Sequence, residues 1–567
     1  MRSLIVARLG MLLAICLGPL AMPSPAADPC RERALFAGST TAVPAGADSA
    51  SAPVLLPERL YDVQLQPQAN VSFVTAPGKS IPADGVYAGI AALQISTPGV
   101  YRIAADTSFW IDVVEDGGLA SAKGFQGAAG CNAPPKIVEF DFPVARQVML
   151  QFSGAASASV RVSITRAGFD ADAATAAYLA MLSPQARARS DAYFEGGYWL
   201  LLWDCVVTVL VAWLLLATRL SLRMRDWAQR LTRVRALQSA MYAIQYIVLT
   251  TILMLPWAAY EGYFREHQYG MSNQNLGSWL GDQLKILLLV AIFGTVAVVA
   301  VYAVIRRARQ TWWLWGAAVM VALLIFGATV SPSYLEPVFN KFYPLADSPL
   351  KQQILSLARA NGIAAKQVYE FDASRQTTKI SAHVSGMFGS VQISLNDNLM
   401  RRASPEEIKA VLGHEMGHYV MNHVYQDIVY SGLIIVIGFA FLAWAWGAVQ
   451  TRFGARWGLR DISDEAGLPL LVALFTVFSF VLTPVQNSIT RSMEAQADAF
   501  GLDAAREPDG FAQAAVQLSE YRKMQPGPVE EFIFFDHPSG WNRIHRAMVW
   551  KAENINTPDI QAYDASH

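Results

Sequence analysis

Residues 404–423 read SPEEIKAVLGHEMGHYVMNH, a helix start followed by paired histidines. Ser404 suits the cap, Pro405 the first helical position, and Glu407, three residues past the cap, the reciprocal bond of a capping box. Ile408, Val411 and Leu412 continue an apolar stripe. On such a helix His414 and His418 stand at i and i+4, so both imidazoles reach one metal ion. Glu415 is displaced around the axis yet stays near that ion, where its carboxylate can take a proton from water. The competing reading of this motif alone is a pair of structural histidines on a solvated helix.

A zinc site of the hydrolytic kind needs a third protein ligand and a fourth position left for water. Glu494-Ala-Gln-Ala-Asp498 supplies the best candidate, with Glu494 and Asp498 again at i and i+4. Glu494 is expected to ligate and Asp498 to bond the outer nitrogen of a ligand histidine, fixing its tautomer. Two apolar segments between the motifs form a hairpin that brings both to one side of a membrane. His423 falls off the ligand face and is read as supporting or structural. His267, His383 and His545 show no partner in the sequence.

The composition sets the class. Of 567 residues, 53% are hydrophobic and only 16% charged, which points away from a soluble globule and from disorder, collagen or coiled coil. With 44 Lys+Arg against 45 Asp+Glu, nothing suggests a nucleic-acid partner. Six apolar segments, at about 197–218, 238–259, 284–305, 312–331, 428–448 and 467–487, each approach the ~20 residues that cross a bilayer. The first, third and fifth connecting loops carry twelve arginines: 219, 223, 225, 230, 233 and 235; 306, 307 and 309; 452, 456 and 460. The second loop carries only Arg265, so the odd loops are expected in the cytoplasm. Asp204, inside the first segment, is a functional candidate or an interhelical partner.

The N-terminus supports the same orientation. Arg2 and Arg8 precede a short apolar run, Leu9 to Met22, and Ser24 and Ala26 suit a cleavage site, so residues 1–27 read as a signal peptide. Residues 28–175 then form an exported β-rich domain. Val138–Phe142, Val148–Phe152, Val160–Ile164, Tyr101–Ile103 and Phe109–Val114 suggest strands of a β-sandwich, and Cys30 and Cys131 could pair there. The rest divides into four spans (183–332), a peptidase part with the HEMGH helix (333–427), a membrane hairpin (428–487) and a C-terminal peptidase part (488–567). The fold class read from these patterns is a mainly α, multi-span membrane protein behind a β-sandwich-like domain.

From about 183 to 550 the chain resembles the Ste24-type integral-membrane zinc metallopeptidases, the CAAX prenyl protease branch of family M48. The likeness rests on LPWAAYEGYFREHQYGMSNQNLGSWLGDQLK (255–285), EPVFNKFYPL (336–345), EEIKAVLGHEMGHYVMNH (406–423), TRSMEAQADAF (490–500) and FFDHPSGWNRI (534–544). It implies a multi-span helical barrel with a gluzincin-type zinc peptidase domain, and one zinc ion held by His414, His418 and Glu494, with Glu415 as general base. It also implies Asp498 as the acid behind the ligands, and His537 and Arg543 near the tetrahedral intermediate. The family's Asn-Ala pair, on the strand expected to bind substrate backbone, appears here as Ser381-Ala382. Relatives of this branch carry seven spans and a cytosolic site. Here an exported domain stands in place of the first span, and the remaining six are turned over. The expected function is a zinc endopeptidase at the outer face of a bacterial inner membrane, hydrolysing exported or membrane polypeptides with zinc-activated water. Its partners are then a peptide or protein substrate and the lipid bilayer. The alternatives are cleavage of prenylated CAAX peptides and, from another class, a non-catalytic envelope-binding anchor.

Overall fold

A computed structural model of the chain describes residues 36, 38–96, 98–127, 136–166, 169–386, 391–555 and 557–561. The expected leader, 1–27, and Cys16, Cys30 and Cys131 lie outside the described residues. The chain divides into two units between Asp170 and Ala171.

In the first unit the segments of period two all form strands, Gly99–Ala105, Trp110–Glu115, Lys136–Phe142, Arg146–Ala155 and Ser159–Arg166 among them. One sheet runs in the order 41–44, 59–64, 159–166, 99–105, 136–142, 124–127. The other runs 54–55, 87–95, 146–155, 110–115, 118–119. Their inward residues meet in one buried cluster, with Ile103, Phe140 and Val162 from the first sheet and Leu93, Leu150 and Phe152 from the second. This is the sandwich that the alternation predicts. The division falls five residues before the expected boundary at 175 (175 − 170). The reason is local. Ala171–Ala180 is a helix, and its Tyr178 hydroxyl donates to Asp509 at 2.7 Å while His545 Nε2 stands 3.0 Å from Asp172.

The second unit holds six helices long and apolar enough to cross a membrane: Pro184–Ala217, Arg235–Gln268, Leu276–Arg307, Trp312–Phe339, His423–Trp457 and Glu465–Ala505. Leu284, Leu288, Ile292, Leu433 and Trp444 on these helices are exposed, as faces meeting lipid must be. Asp204 has an interhelical partner, accepting from Trp257 Nε1 at 2.6 Å. At the arginine-rich end Arg225 pairs with Asp464 at 2.6 Å and Arg306 with Glu465 at 2.9 Å, so buried charges there are matched.

Between the fourth and fifth spans lies a four-stranded sheet in the order 342–344, 368–371, 392–396, 382–385. Helix Pro349–Ala360 covers it through Ile354 and Leu357, which share a core with Ile393, Leu395, Leu412 and Met416. Ala382–Ser385 is the edge strand, pairing only with 392–396 among the described residues. The motif helix packs beside that edge strand.

Candidate metal centre

The motif helix spans Pro405–Val420, and its start forms as its residues predict. The Ser404 hydroxyl accepts from Glu407 N, and the Glu407 carboxylate accepts from Ser404 N at 2.6 Å. After Val420 the chain turns through Asn422 at φ +60° and starts the next span at His423. That left-handed turn folds His423 back against the motif helix, where its Nδ1 stands 2.9 Å from His418 Nδ1.

The second part of the site arrives on the last long helix. Its apolar part crosses the membrane, and the same helix continues unbroken through Glu494 and Asp498 to Ala505. Close approach of this helix to the motif helix depends on glycines. A Cβ on Gly501 would lie 2.7 Å from His414 N, and one on Gly413 would lie 2.9 Å from the Ala505 Cβ. Gly417 faces Ala497 at a similar spacing, 3.1 Å. Small residues on both helices let the backbones come close enough for Glu494 to reach both histidines.

His414 Nε2 and His418 Nε2 stand 3.1 Å apart. Glu494 Oε2 is 3.2 Å from His414 Nε2, and Glu494 Oε1 is 3.4 Å from His418 Nε2. Ligands about 2.0–2.1 Å from a tetrahedral ion stand about 3.3–3.4 Å from one another, so these three spacings fit one such ion. Glu494 Oε2 is moreover buried without a hydrogen-bond partner among the described residues. The outer nitrogens are occupied. His414 Nδ1 lies 2.8 Å from Asp498 Oδ1. His423 Nε2 faces Gln496 Oε1 at 3.4 Å, which leaves its Nδ1 to accept from His418 Nδ1. Both Nε2 lone pairs then point into the gap between the residues. The donor set fits a metal.

The acids and imidazoles shift one another's protonation. Burial disfavours the His414 cation, but bonds from Asp498 and Glu494 outweigh it and raise its pKa to about 9. Burial also raises the Glu415 carboxyl, with His414 and His418 opposing it. A cavity of about 170 Å³ opens beside these groups, lined by Glu415, His414, Ser381, Ala382 at the start of the edge strand, and apolar side chains among others.

His537 lies in the turn before helix Gly540–Asn554, whose cap is Ser539. Its Nδ1 is held by Asp536 at 2.8 Å, and its Nε2 stands 3.2 Å from Glu494 Oε2. Arg543, on that helix, directs Nη2 and Nε at Asp498, at 2.6 and 3.1 Å. Its guanidinium therefore fixes the carboxylate behind His414 while lining the cavity. All seven residues singled out from the sequence thus converge on one locality. His383 also has a neighbour, with Nε2 3.4 Å from Glu336, and His267 Nδ1 lies 2.7 Å from Tyr263 O. Sequence reasoning missed Arg522, which lines the cavity from a loop with no motif spacing to mark it. It missed the glycine contacts as well, although Gly413-x-x-x-Gly417 was visible as a small-residue stripe.

Residues 344–551 match the profile of peptidase family M48, and residues 172–341 match that of the CAAX prenyl protease N-terminal region, described with five membrane helices. Within the second match, four helices among the described residues are long and apolar enough to span. The chain is 30% identical to an uncharacterized metalloprotease of Bacillus subtilis, YhfN, over 62% of its own length and 82% of that protein's. It is 27% identical to CAAX prenyl protease 1 of Saccharomyces cerevisiae, over 52% and 69% respectively. Its fold is similar to that of Ste24p of S. mikatae, with a TM-score of 0.56 at 21% identity, covering 65% of this chain and 89% of that one.

Proposed function

The chain belongs to peptidase family M48, and from that premise we propose that it is a zinc-dependent endopeptidase cutting exported or membrane polypeptides at the outer face of a bacterial inner membrane. It is a multi-pass membrane metallopeptidase. The observation that carries the reading is the triangle of ligand atoms from His414, His418 and Glu494, with spacings of 3.1 to 3.4 Å. Nitrogen and carboxylate donors in tetrahedral spacing suit zinc.

A zinc ion held there supplies Lewis acidity, polarising the scissile carbonyl and lowering the pKa of water. Glu415 accepts the proton of the attacking water on its carboxylate and returns it to the departing amine. A carboxyl raised by burial is a stronger base than an ordinary one, which suits that exchange. His537, whose Nε2 faces Glu494, is the group we assign to the oxygen that gains charge at the tetrahedral stage. Arg543 acts through Asp498, holding the ring of His414 in register. The side of edge strand Ala382–Ser385 that is unpaired among the described residues offers N–H and C=O groups to an extended peptide beside Glu415.

The orientation follows from the twelve arginines in the odd loops against Arg265 in the second. With the site on the outer face, a prenylated cytosolic protein has no ordinary access to it, which favours exported clients over CAAX peptides. The test is Glu415→Gln purified with zinc. It is expected to keep the metal, lose peptide cleavage by at least about 100-fold, and retain bound polypeptide that identifies the client. Proteolysis equal to that of the unaltered protein would remove Glu415 from the reaction, and equal rates on farnesylated and plain peptides would exclude a prenyl requirement.

A further inference from the structure

The cavity beside the candidate metal centre has a cation in its wall that no carboxylate among the described residues neutralises by contact. Arg522 lies in the loop between helices Pro508–Leu518 and Pro528–Phe534 and lines the same cavity as Glu415 and His537. Its Nη1 is sealed from solvent and has no hydrogen-bond partner among the described residues. Other cations around the site are satisfied. Arg543 is held by Asp498, Lys379 by Glu266 at 3.0 Å, and Lys523 by Glu195 and Glu530. The acids that act on Arg522 across space are Asp536 and Glu494, but Asp536 is paired with His537 and Glu494 faces the imidazoles. Burial works against the charge of Arg522, and Arg543 adds like-charge repulsion. A buried guanidinium kept in this state lacks an anion.

We propose that Arg522 is a specificity residue that binds a carboxylate of the substrate. Beside the polar groups of the metal centre, Leu399, Val411, Phe511 and Leu518 form an apolar part of the same wall, so the cavity fits a short segment with an apolar side chain that ends in or carries that anion. A planar fork of N–H donors matches a carboxylate in two parallel bonds. The two sources of that group are the free C-terminus of a chain and an Asp or Glu side chain. The developing oxyanion is not the anion in question. His537, which lines the same cavity, stands 3.2 Å from the candidate ligand Glu494 and is the group assigned above to that charge.

The proposal rests on the peptidase reading above, and the experiment separates the two. Tryptic peptides from a bacterial lysate are offered to the zinc-loaded full chain in two forms, untreated and with all carboxylates amidated, and cuts are located by mass spectrometry. The readout is the ratio of cutting between the two forms. It is expected to exceed about tenfold in favour of free carboxylates, as for sites built around a polar partner. Arg522→Gln should bring the ratio to near one, and Arg522→Lys should restore part of it. Cuts at a fixed distance from chain ends identify the α-carboxylate; cuts at a fixed distance from internal Asp or Glu identify the side chain. Equal cutting of both forms by the unaltered protein overturns the proposal, even if Arg522→Gln fails to fold. So does an equal loss on both forms in Arg522→Gln, which would place Arg522 on the reaction's own charge. Failure of the unaltered protein to cut either form overturns the peptidase reading, and the proposal with it.

Discussion

Replacing Asp498 by Asn keeps the shape of the side chain and removes its charge. Asp498 is fully buried, its Oδ1 lies 2.8 Å from His414 Nδ1, and it accepts from Arg543 Nη2 and Nε at 2.6 and 3.1 Å. An amide has one acceptor oxygen and turns two N–H donors toward groups that are themselves donors. Either His414 or Arg543 then loses its partner, and the guanidinium is left in the interior without a counter-ion. Breaking a buried pair in this way costs about 3–5 kcal/mol. The effect on the metal is smaller, because the ligand atoms remain and only their orientation loosens. Such outer bonds change metal affinity by about 10–100-fold, or about 1.4–2.7 kcal/mol. The assay is thermal unfolding of metal-free protein in detergent, together with a chelator competition for zinc. Asp498→Asn is expected to lower Tm and to weaken zinc binding within that range. Adding Arg543→Gln removes the unpaired cation, so the double variant should be less destabilised than the sum of the two singles. An Asp498→Asn variant with unchanged Tm and zinc affinity within twofold of the original would refute the role given to this carboxylate.

Glu494→Ala removes one of the three proposed ligands, and metal analysis of the purified variant should find it almost zinc-free; full occupancy would take Glu494 out of the site. Gly501→Ala puts a Cβ 2.7 Å from the His414 backbone nitrogen, and overpacking of this kind costs about 1–3 kcal/mol. A denaturant midpoint at or above that of the unaltered protein would show that the two helices can separate freely. In the metal-free protein the His414 pKa is raised to about 9, and a metal needs the neutral ring. Zinc affinity should therefore climb with pH, by up to about tenfold per unit, and level off above that value. Affinity that stays flat from pH 6 to 9 would contradict the coupling. For orientation, alkaline phosphatase fused after His567 should be active, and a fluorescent reporter fused after Arg309 should glow in the cytoplasm; the reverse pattern would restore a cytosolic site.

What the sequence determined by itself is what one element can encode. Ser404, Pro405 and Glu407 start a helix by bonds within three residues, and a period of 3.6 then stacks His414 on His418 wherever that helix goes. Alternation at period two likewise specified the strands of the N-terminal sandwich, and unbroken apolar runs specified the six spans. The i, i+4 spacing of Glu494 and Asp498 also presents two carboxylates to one neighbour, and both stand beside His414. Tertiary structure decided which elements touch. Gly413, Gly417 and Gly501 set how near the two site helices lie, and that distance lets Glu494 face both rings. The turn at Asn422 returns His423 to His418, and the loop before Pro528 carries Arg522 into the cavity wall. None of these contacts has a period, since each joins residues whose separation along the chain is set by connections and not by a repeating backbone geometry. Local hydrogen bonding repeats at fixed intervals and so leaves a pattern in the sequence, whereas packing between elements depends on shape complementarity that only the assembled chain expresses.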